Sequence, residues 1–503
     1  KFFPTMKHFL FTAALMASSM TAFAQSVPTH EMYVDFGVTD KSDLVSMLDK
    51  WKPGSKFSKD AKYVDENFFI SRVPLKQRFT NPATQANSSL KADNAKNLCW
   101  CVPIGEMTKK WGPLPRWNFD GDNFNMWQYI NIHANWSNSW WRTPGAFNDV
   151  AHKNGVRTGC LYFIDWGAQV TENTDAGKML GQLCAKDAKG NFKYARKLIT
   201  FLRYYGIDGI GLNPEGSWSS TLNNNFQSFL AECHKVAEEM NFPFHVEWYA
   251  YVSNAGNLSD NGCKLSVGSN DKWFQKDGHP VTDVFFLNYN WSENGLSTSA
   301  EAARSLGRST FDVYAGFDQQ GRGYGKYGNG GWQALMRQPV SVVVWGGHDR
   351  SQIYAGSTEG GNSDLSVQKE YQTKQELLFT GATRNVLNTP AIYDGVVNSS
   401  YSSLKNWHGY SKAVLEQSTL TELPFVTRFG LGNGLWLKKH GETTFSHKWY
   451  NIGMQDYLPT WRWWIDNGDG HTVPADAIKA DFTFEDAWTG GSCLKLHGAT
   501  KKS

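Results

Sequence analysis

The segment Tyr204-Tyr205-Gly206-Ile207-Asp208-Gly209-Ile210-Gly211-Leu212-Asn213-Pro214-Glu215 carries side chains suited to chemistry. A helical pattern ends, an apolar run follows, and the run closes on an amide and a carboxyl two residues apart. Residues i and i+2 of a strand point to one face, so Asn213 and Glu215 are expected to project together. Pro214 cannot donate to a sheet ladder and reads as the point where pairing stops, at the C-terminal end of the strand. Breaking a glycosidic bond takes an acid to protonate the leaving oxygen and a nucleophile to trap the oxocarbenium-like centre. Where the 2-acetamido oxygen of the sugar is that nucleophile, one carboxylic acid suffices on the protein. Glu215 is the candidate acid and needs a pKa raised by partial burial to stay protonated near neutrality. Asn213 is the candidate partner of the acetamide, accepting its N–H and steadying the oxazolinium that forms. An isolated Asn-x-Glu more often only ends a strand and caps a helix, so the surrounding elements must decide.

Those elements form a rhythm. Short apolar runs at 126–134, 157–166, 207–213, 244–251, 283–290, 312–318 and 340–346 read as strands, with an eighth at 424–429. Between them lie helical patterns. Leu222, Phe226, Phe229, Leu230, Cys233, Val236, Ala237 and Met240 fall on one face of a 3.6-residue period. Ala195, Leu198, Ile199, Leu202 and Tyr205 do the same, with Gly206 as the stop. Strand–helix alternation over this length predicts a parallel sheet, and eight strands favour an α/β (β/α)8 TIM barrel. In such a barrel the C-terminal strand ends form the reactive face, where Asn213 and Glu215 fall. From about 440 the pattern changes to Trp-rich segments with turn signals. Phe482–Phe484 and Leu494–Leu496 around Gly490-Gly491 read as two strands, the start of a β-sandwich. The layout is then a signal peptide at 1–24, a leader region at 25–94, a barrel at 95–440 and an incomplete, accessory β-sandwich at 441–503.

Composition excludes several classes. The balance of 50 Lys+Arg against 47 Asp+Glu argues against a nucleic-acid binder. Gly209-Ile210-Gly211 is followed by Pro214 where a dinucleotide fingerprint needs its third glycine. The glycine-rich stretch 316–331 lacks the Walker A pattern, with Gln320 and Tyr327 at two of its key places. The histidines form no His-Glu-x-x-His pair, the seven cysteines are dispersed, and Asp466–Gly470 lacks the acidic partner of a calcium loop. No metal and no cofactor are expected. Met6-Lys7-His8, an apolar run at 9–16 and Ala22-Phe23-Ala24 read as a secretory signal, hence a secreted or periplasmic protein. No later apolar stretch is long enough for a membrane span. The 22 Trp suit sugar rings, whose C–H faces stack on indole.

From about 126 to 464 the chain resembles the family 85 glycoside hydrolases, the endo-β-N-acetylglucosaminidases. The resemblance rests on segments in the order of the family: Trp127-Gln128-Tyr129-Ile130, Ala151-His152-Lys153-Asn154-Gly155-Val156, Tyr205–Gly209 leading into Asn213 and Glu215, and Trp248-Tyr249. It continues with Phe286-Leu287-Asn288-Tyr289-Asn290-Trp291, the run Asp312–Asp318 with Gly321-Arg322-Gly323, and Leu458–Trp464. The resemblance implies cleavage between the two core GlcNAc residues of an N-linked glycan, with retention, through an oxazoline. Glu215 becomes the general acid/base and Asn213 the acetamide-positioning residue, with Tyr249 near the oxazoline. Trp166, Trp248 and Trp291 are implied to line the cleft, and Asn288 to join the substrate-binding set. Asp318 and Arg322 either bind substrate hydroxyls or form a loop-structuring ion pair. N-glycans of glycoproteins or glycopeptides are the implied partners. The chain departs from the family in Pro214 between the catalytic pair, in Ala250-Tyr251 where the family has Asp-Ser, in Gln319-Gln320, and in Gly347-His348-Asp349. Two other readings stand beside the enzyme: a glycan-binding barrel with weakened turnover, and a chitinase-like or exo-acting hexosaminidase.

Overall fold

The computed structural model describes residues 44–55, 69–82, 85, 87–103, 119, 123–136, 140, 143–322, 331–346, 365–392, 406–458 and 478–498. Eight parallel strands close into a barrel in chain order: β1 (Leu98–Pro103), β2 (Ile132–Trp136), β3 (Arg157–Val170), β4 (Gly209–Trp218), β5 (His245–Tyr249), β6 (Val284–Leu287), β7 (Val313–Asp318) and β8 (Ser341–Trp345). Strand β8 pairs back to β1, Val342 opposite Leu98, which closes the ring. The helices are α1 (Leu44–Lys50), α2 (Gly145–Lys153), α3 (Asp175–Leu183), α4 (Ala195–Tyr205), α5 (Ser220–Glu239), α6 (Glu293–Ser305), α7 (Gln319–Arg322), α8 (Gly331–Arg337) and α9 (Leu365–Thr380).

Local chemistry sets the two helices that flank the catalytic strand. Helix α4 ends at Gly206, which takes a left-handed conformation (φ 72°) that glycine adopts without strain. Helix α5 begins at Ser219, whose hydroxyl accepts the Leu222 N–H. Its apolar residues Leu222, Phe226, Phe229, Leu230, Cys233 and Val236 are all buried.

Two expectations about strands are corrected. The stretch 424–429 is irregular, and its Val426 side chain is exposed. The eighth strand is β1, which sends Leu98, Trp100 and Val102 into the outer core and Cys99 and Cys101 into the lumen. The side chains of 424–429 are exposed or only partly buried, whereas the short Leu-Cys-Trp-Cys-Val run buries both faces. Pro214 also does not end pairing. Strand β4 runs on to Trp218, although its ladder with β5 stops at Leu212–Trp248. The missing N–H costs no ladder bond on the β5 side, because that ladder has already ended at Leu212, while the β3 side stays in register with Ile164 opposite Pro214.

Alternation divides the barrel residues into two layers. Cys99, Cys101, Ile132, Ala134, Leu161, Tyr249, Val284, Phe286, Tyr314 and Val343 fill the lumen. Their strand neighbours pack outward under the helices. Gly209 and Gly211 give β4 a bare inner face. A Cβ on Gly209 would come within 2.4 Å of the His245 ring, and one on Gly211 within 2.4 Å of Leu161. At the N-terminal end of the barrel, His152 Nε2 lies 2.8 Å from Asp208 Oδ2, both buried, and the same oxygen accepts the Thr158 N–H.

Helix α1 docks through Trp51, whose ring meets Phe201 and Tyr204 edge-on at 5.1 and 5.5 Å. The C-terminal region is β-rich. It holds antiparallel pairs Asn433–Gly434 with Trp449–Tyr450, Leu437–Lys439 with Glu442–Phe445, and Lys479–Thr483 with Cys493–His497. It is fastened to the barrel by buried polar bonds: Trp127 Nε1 donates to Gln455 Oε1 (2.7 Å), and Gln455 Nε2 donates to the Phe124 carbonyl (3.1 Å). Among the described residues, no helix is long and apolar enough to cross a membrane.

Candidate active site

Asn213 and Glu215 stand past the middle of β4, where its ladder with β5 has ended, on the face that carries Gly209 and Gly211 deeper in the lumen. Asn213 is buried and Glu215 partly so. Asn213 Nδ2 donates to Glu215 Oε2 over 2.8 Å. Burial raises the pKa of Glu215, the Asn213 hydrogen bond opposes that rise, and the charge of Asp165 adds to it. The net result is a carboxyl that keeps its proton to higher pH than a free glutamic acid, as a general acid must.

Asp165 owes its position to an irregularity in β3. Ile164 lies opposite Pro214 and Ala168 opposite Gly216. Three residues, Asp165, Trp166 and Gly167, therefore stand against Glu215 alone. Gly167 takes φ +74°, which lets the bulge turn.

Tyr249 enters from β5 beside the pair. It is buried in the lumen, with ring centroids 4.9 Å from Phe286 and 5.1 Å from Tyr251. Burial and the adjacent Glu215 charge push its phenol well above the ordinary value, so the hydroxyl remains a proton donor. One layer beneath, Glu247 lies opposite Gly211, with its Oε1 2.9 Å from His245 Nε2. Burial pushes the Glu247 carboxyl up to about 8 and His245 well down, which leaves both neutral under the site.

Asn288 is buried at the end of β6; its Oδ1 accepts the Tyr289 N–H and its side chain hydrogen-bonds Tyr251. Asp318, the last residue of β7, pairs with Arg322 at 3.8 Å. Arg322 also donates to Asn290 Oδ1 (2.8 Å) and lies over the Tyr289 ring. The pair thus organises the loops on this face around Tyr289.

The three tryptophans part company. Trp166 is 64% exposed at the rim. Trp248 and Trp291 are buried and do not line the cleft. Trp248 alternates with Tyr249, so it faces outward and stacks on Trp273. Trp291 packs against Phe317 and donates Nε1 to the Gly316 carbonyl over 2.9 Å. Ala250 is buried in the outer layer, away from the lumen. Three residues near the pair were missed by sequence reasoning: Asp165, Tyr251 and Tyr289. Tyr251 had a signal, since it stands two residues after Tyr249. Asp165 had none, because a bulge leaves no trace in periodicity. Gly323, residues 347–349, 459–464 and 466–470 lie outside the described residues. Among the described residues, no three His, Cys, Asp or Glu side chains are grouped to hold a metal ion.

A parallel eightfold barrel with an amide–acid pair on one strand defines the class, and the comparisons name the family. Residues 110–436 match the family described as Glycosyl hydrolase family 85. The chain belongs to that family. The chain is 24% identical over 485 residues to the cytosolic endo-β-N-acetylglucosaminidase of Gallus gallus, covering 94% of this chain and 54% of that protein. For the Homo sapiens protein of the same name the identity is 24% over 376 residues, covering 75% and 43%. The chain thus spans about half the length of the curated relatives it matches. The glycoside hydrolase domain of Endo-D from Streptococcus pneumoniae R6 shares the fold, with a TM-score of 0.70 at 22% identity over 90% of this chain and 65% of that one.

The expectation of secretion is corrected here. The curated relatives, from chicken to Arabidopsis thaliana, are named cytosolic enzymes, which overturns the reading of a secreted or periplasmic protein. Residues 1–24, on which that reading rested, lie outside the described residues.

Proposed function

We propose that this chain is an endo-β-N-acetylglucosaminidase that cleaves the GlcNAc-β1,4-GlcNAc core of N-linked glycans by substrate-assisted, retaining hydrolysis. The observation that carries the reading is the 2.8 Å hydrogen bond between Asn213 and Glu215 at the mouth of the barrel. With Nδ2 committed to Glu215, the Asn213 carbonyl is left to accept the acetamide N–H of the sugar. That contact turns the acetamide oxygen toward the anomeric carbon. Protonated Glu215 gives its proton to the glycosidic oxygen as the C1–O bond breaks and the acetamide oxygen closes on C1. The neutral Tyr249 hydroxyl donates toward the oxazoline oxygen. Glu215, now a carboxylate, takes a proton from water as that water opens the oxazolinium ion, whose nitrogen has kept its proton throughout, and two inversions give retention. The barrel at 95–440 would carry this chemistry, and the β-rich residues from 441 would be accessory.

The test is incubation with a glycoprotein bearing defined N-glycans, followed by mass measurement of both products. One GlcNAc left on each asparagine supports the reading. Intact glycoprotein alongside cleaved chitooligosaccharides replaces it with a chitinase-like activity. Binding of glycan without any product replaces it with a glycan-binding barrel.

A further inference from the structure

Helix α9 and the C-terminal region meet over a cleft that the chemistry at Glu215 does not use. Its walls come from α9, from Arg384 just beyond that helix, and from the strand Lys479–Thr483 with Phe484 after it. None of its lining residues belongs to a barrel strand, so the cleft is separate from the mouth that holds Asn213 and Glu215. It offers about 170 Å³. A cavity of about 150 Å³ takes one six-membered ring, so this cleft has room for one ring and not for a chain of them.

The lining carries both signs of charge. Arg384 donates through Nε (2.8 Å) and Nη2 to Glu376 Oε2, and its Nη2 lies 4.0 Å from Asp481 Oδ1. Lys369 is exposed at the rim. An anion in the cleft would meet Asp481 and Glu376, and a cation would meet Lys369 and Arg384, so the lining favours a neutral ligand. The polar wall also has a donor to fill. Gln372 is 5% exposed, and its Oε1 accepts from Asn125 Nδ2. That leaves Nε2, which has no hydrogen-bond partner among the described residues, as the end facing the cleft. A buried N–H without an acceptor costs free energy that a ligand oxygen would recover. Asp481, half-exposed on the strand side, is an acceptor. Phe482 and Phe484 add an apolar wall, and Phe119 holds the buried Phe484 edge-on at 4.8 Å. Donor, acceptor and apolar wall together suit a ring with hydroxyls at its edge, which donate and accept, and C–H groups on its faces.

We propose that this cleft is a second sugar site, taking one neutral pyranose ring outside the active site. Gln372 Nε2 and Lys369 donate to its hydroxyls, Asp481 accepts from one, and Phe482 and Phe484 meet a C–H face. The ring arrives as a free monosaccharide or as an outer sugar of a glycan, and the recognition is the same. The proposal stands whether or not Asn213 and Glu215 catalyse.

The test uses the full chain with Asn213→Ala and Glu215→Gln, which silences the catalytic pair. Saturation-transfer NMR probes are D-mannose, D-galactose, D-glucose and a free high-mannose N-glycan. At least one should receive saturation. Lys369→Ala and Asp481→Ala, at solvent-facing positions, should each weaken that binding about tenfold, the worth of one hydrogen bond to a charged group. Thr373→Trp, which fills the cleft, should abolish it. Unchanged thermal melts verify that the variants fold. Weakened monosaccharide binding supports the site with a free sugar as its ligand. Weakened glycan binding with silent monosaccharides supports it with an outer sugar as its ligand. No saturation of any probe, or saturation that all three folded variants leave unchanged, overturns it.

Discussion

Asp165 stands opposite Glu215 across the β3 bulge, and its charge opposes ionisation of the acid. Burial already raises the Glu215 pKa, and Asp165 raises it further. The sign of the pH effect follows. Glu215 works as an acid only while protonated, so kcat/KM falls as pH rises through its raised pKa. Asp165→Asn removes the negative charge, lowers that pKa and moves the alkaline limb to lower pH. Because Asp165 is exposed, salt screens it, so high ionic strength should move the wild-type limb the same way and leave the variant nearly still. A pH–rate profile for each protein at low and high salt checks this; identical limbs would remove the coupling.

The amide–acid pair makes a sharper demand. Glu215→Gln keeps the shape and hydrogen bonding but has no proton to give, so kcat for glycopeptide should fall by roughly 10²–10⁴-fold. Asn213→Ala should cripple formation of the oxazoline, yet a preformed oxazoline should still be consumed, since Glu215 is intact. Single-turnover measurements with both substrates separate the two variants. Equal losses on both substrates in Asn213→Ala would show that the amide does not act on the acetamide.

Much of this was legible in the amino-acid order, and the failures have a common cause. Period-two alternation put Asn213 and Glu215 on one face, and the 3.6-residue stripe of α5 located its helix. Both are local properties. Strand β1 was missed because Leu98-Cys99-Trp100-Cys101-Val102 is short and buried on both faces, while the stretch 424–429 looked equally apolar and is not a strand. The resemblance implied that Trp248 lines the cleft along with Tyr249 as a site residue, but adjacent strand residues face opposite ways and Trp248 turns into the outer core. The β3 bulge breaks that alternation and is set by packing against β4, so neither Asp165 nor the aim of Trp166 was readable.

Trp248 offers a direct check on which layer it occupies. Its ring lies 3.7 Å from that of Trp273 with planes 15° apart, fully buried under the helices. Trp248→Ala should cost about 3–5 kcal/mol of stability through the cavity it leaves. Chemical denaturation reads that loss, and glycopeptide KM of the folded fraction should not rise. A stable variant with a raised KM would return Trp248 to the cleft.

The far end of the barrel gives a second kind of pH dependence. Burial works against a charged His152, yet the charge and hydrogen bond of Asp208 outweigh it and raise the imidazole pKa above its ordinary value. A raised folded pKa contributes stability that is full below the unfolded value, near 6.5, and is lost as pH rises through the folded value. Asp208→Asn keeps the shape and removes the partner charge. It should cost roughly 3 kcal/mol at pH 5.5, where the wild-type pair is ionised. At a pH above the raised imidazole pKa the wild-type ring has given up its proton, and there the cost should shrink. Urea titrations of both proteins at the two pH values measure the difference, and a cost that stays the same would show that His152 is neutral throughout.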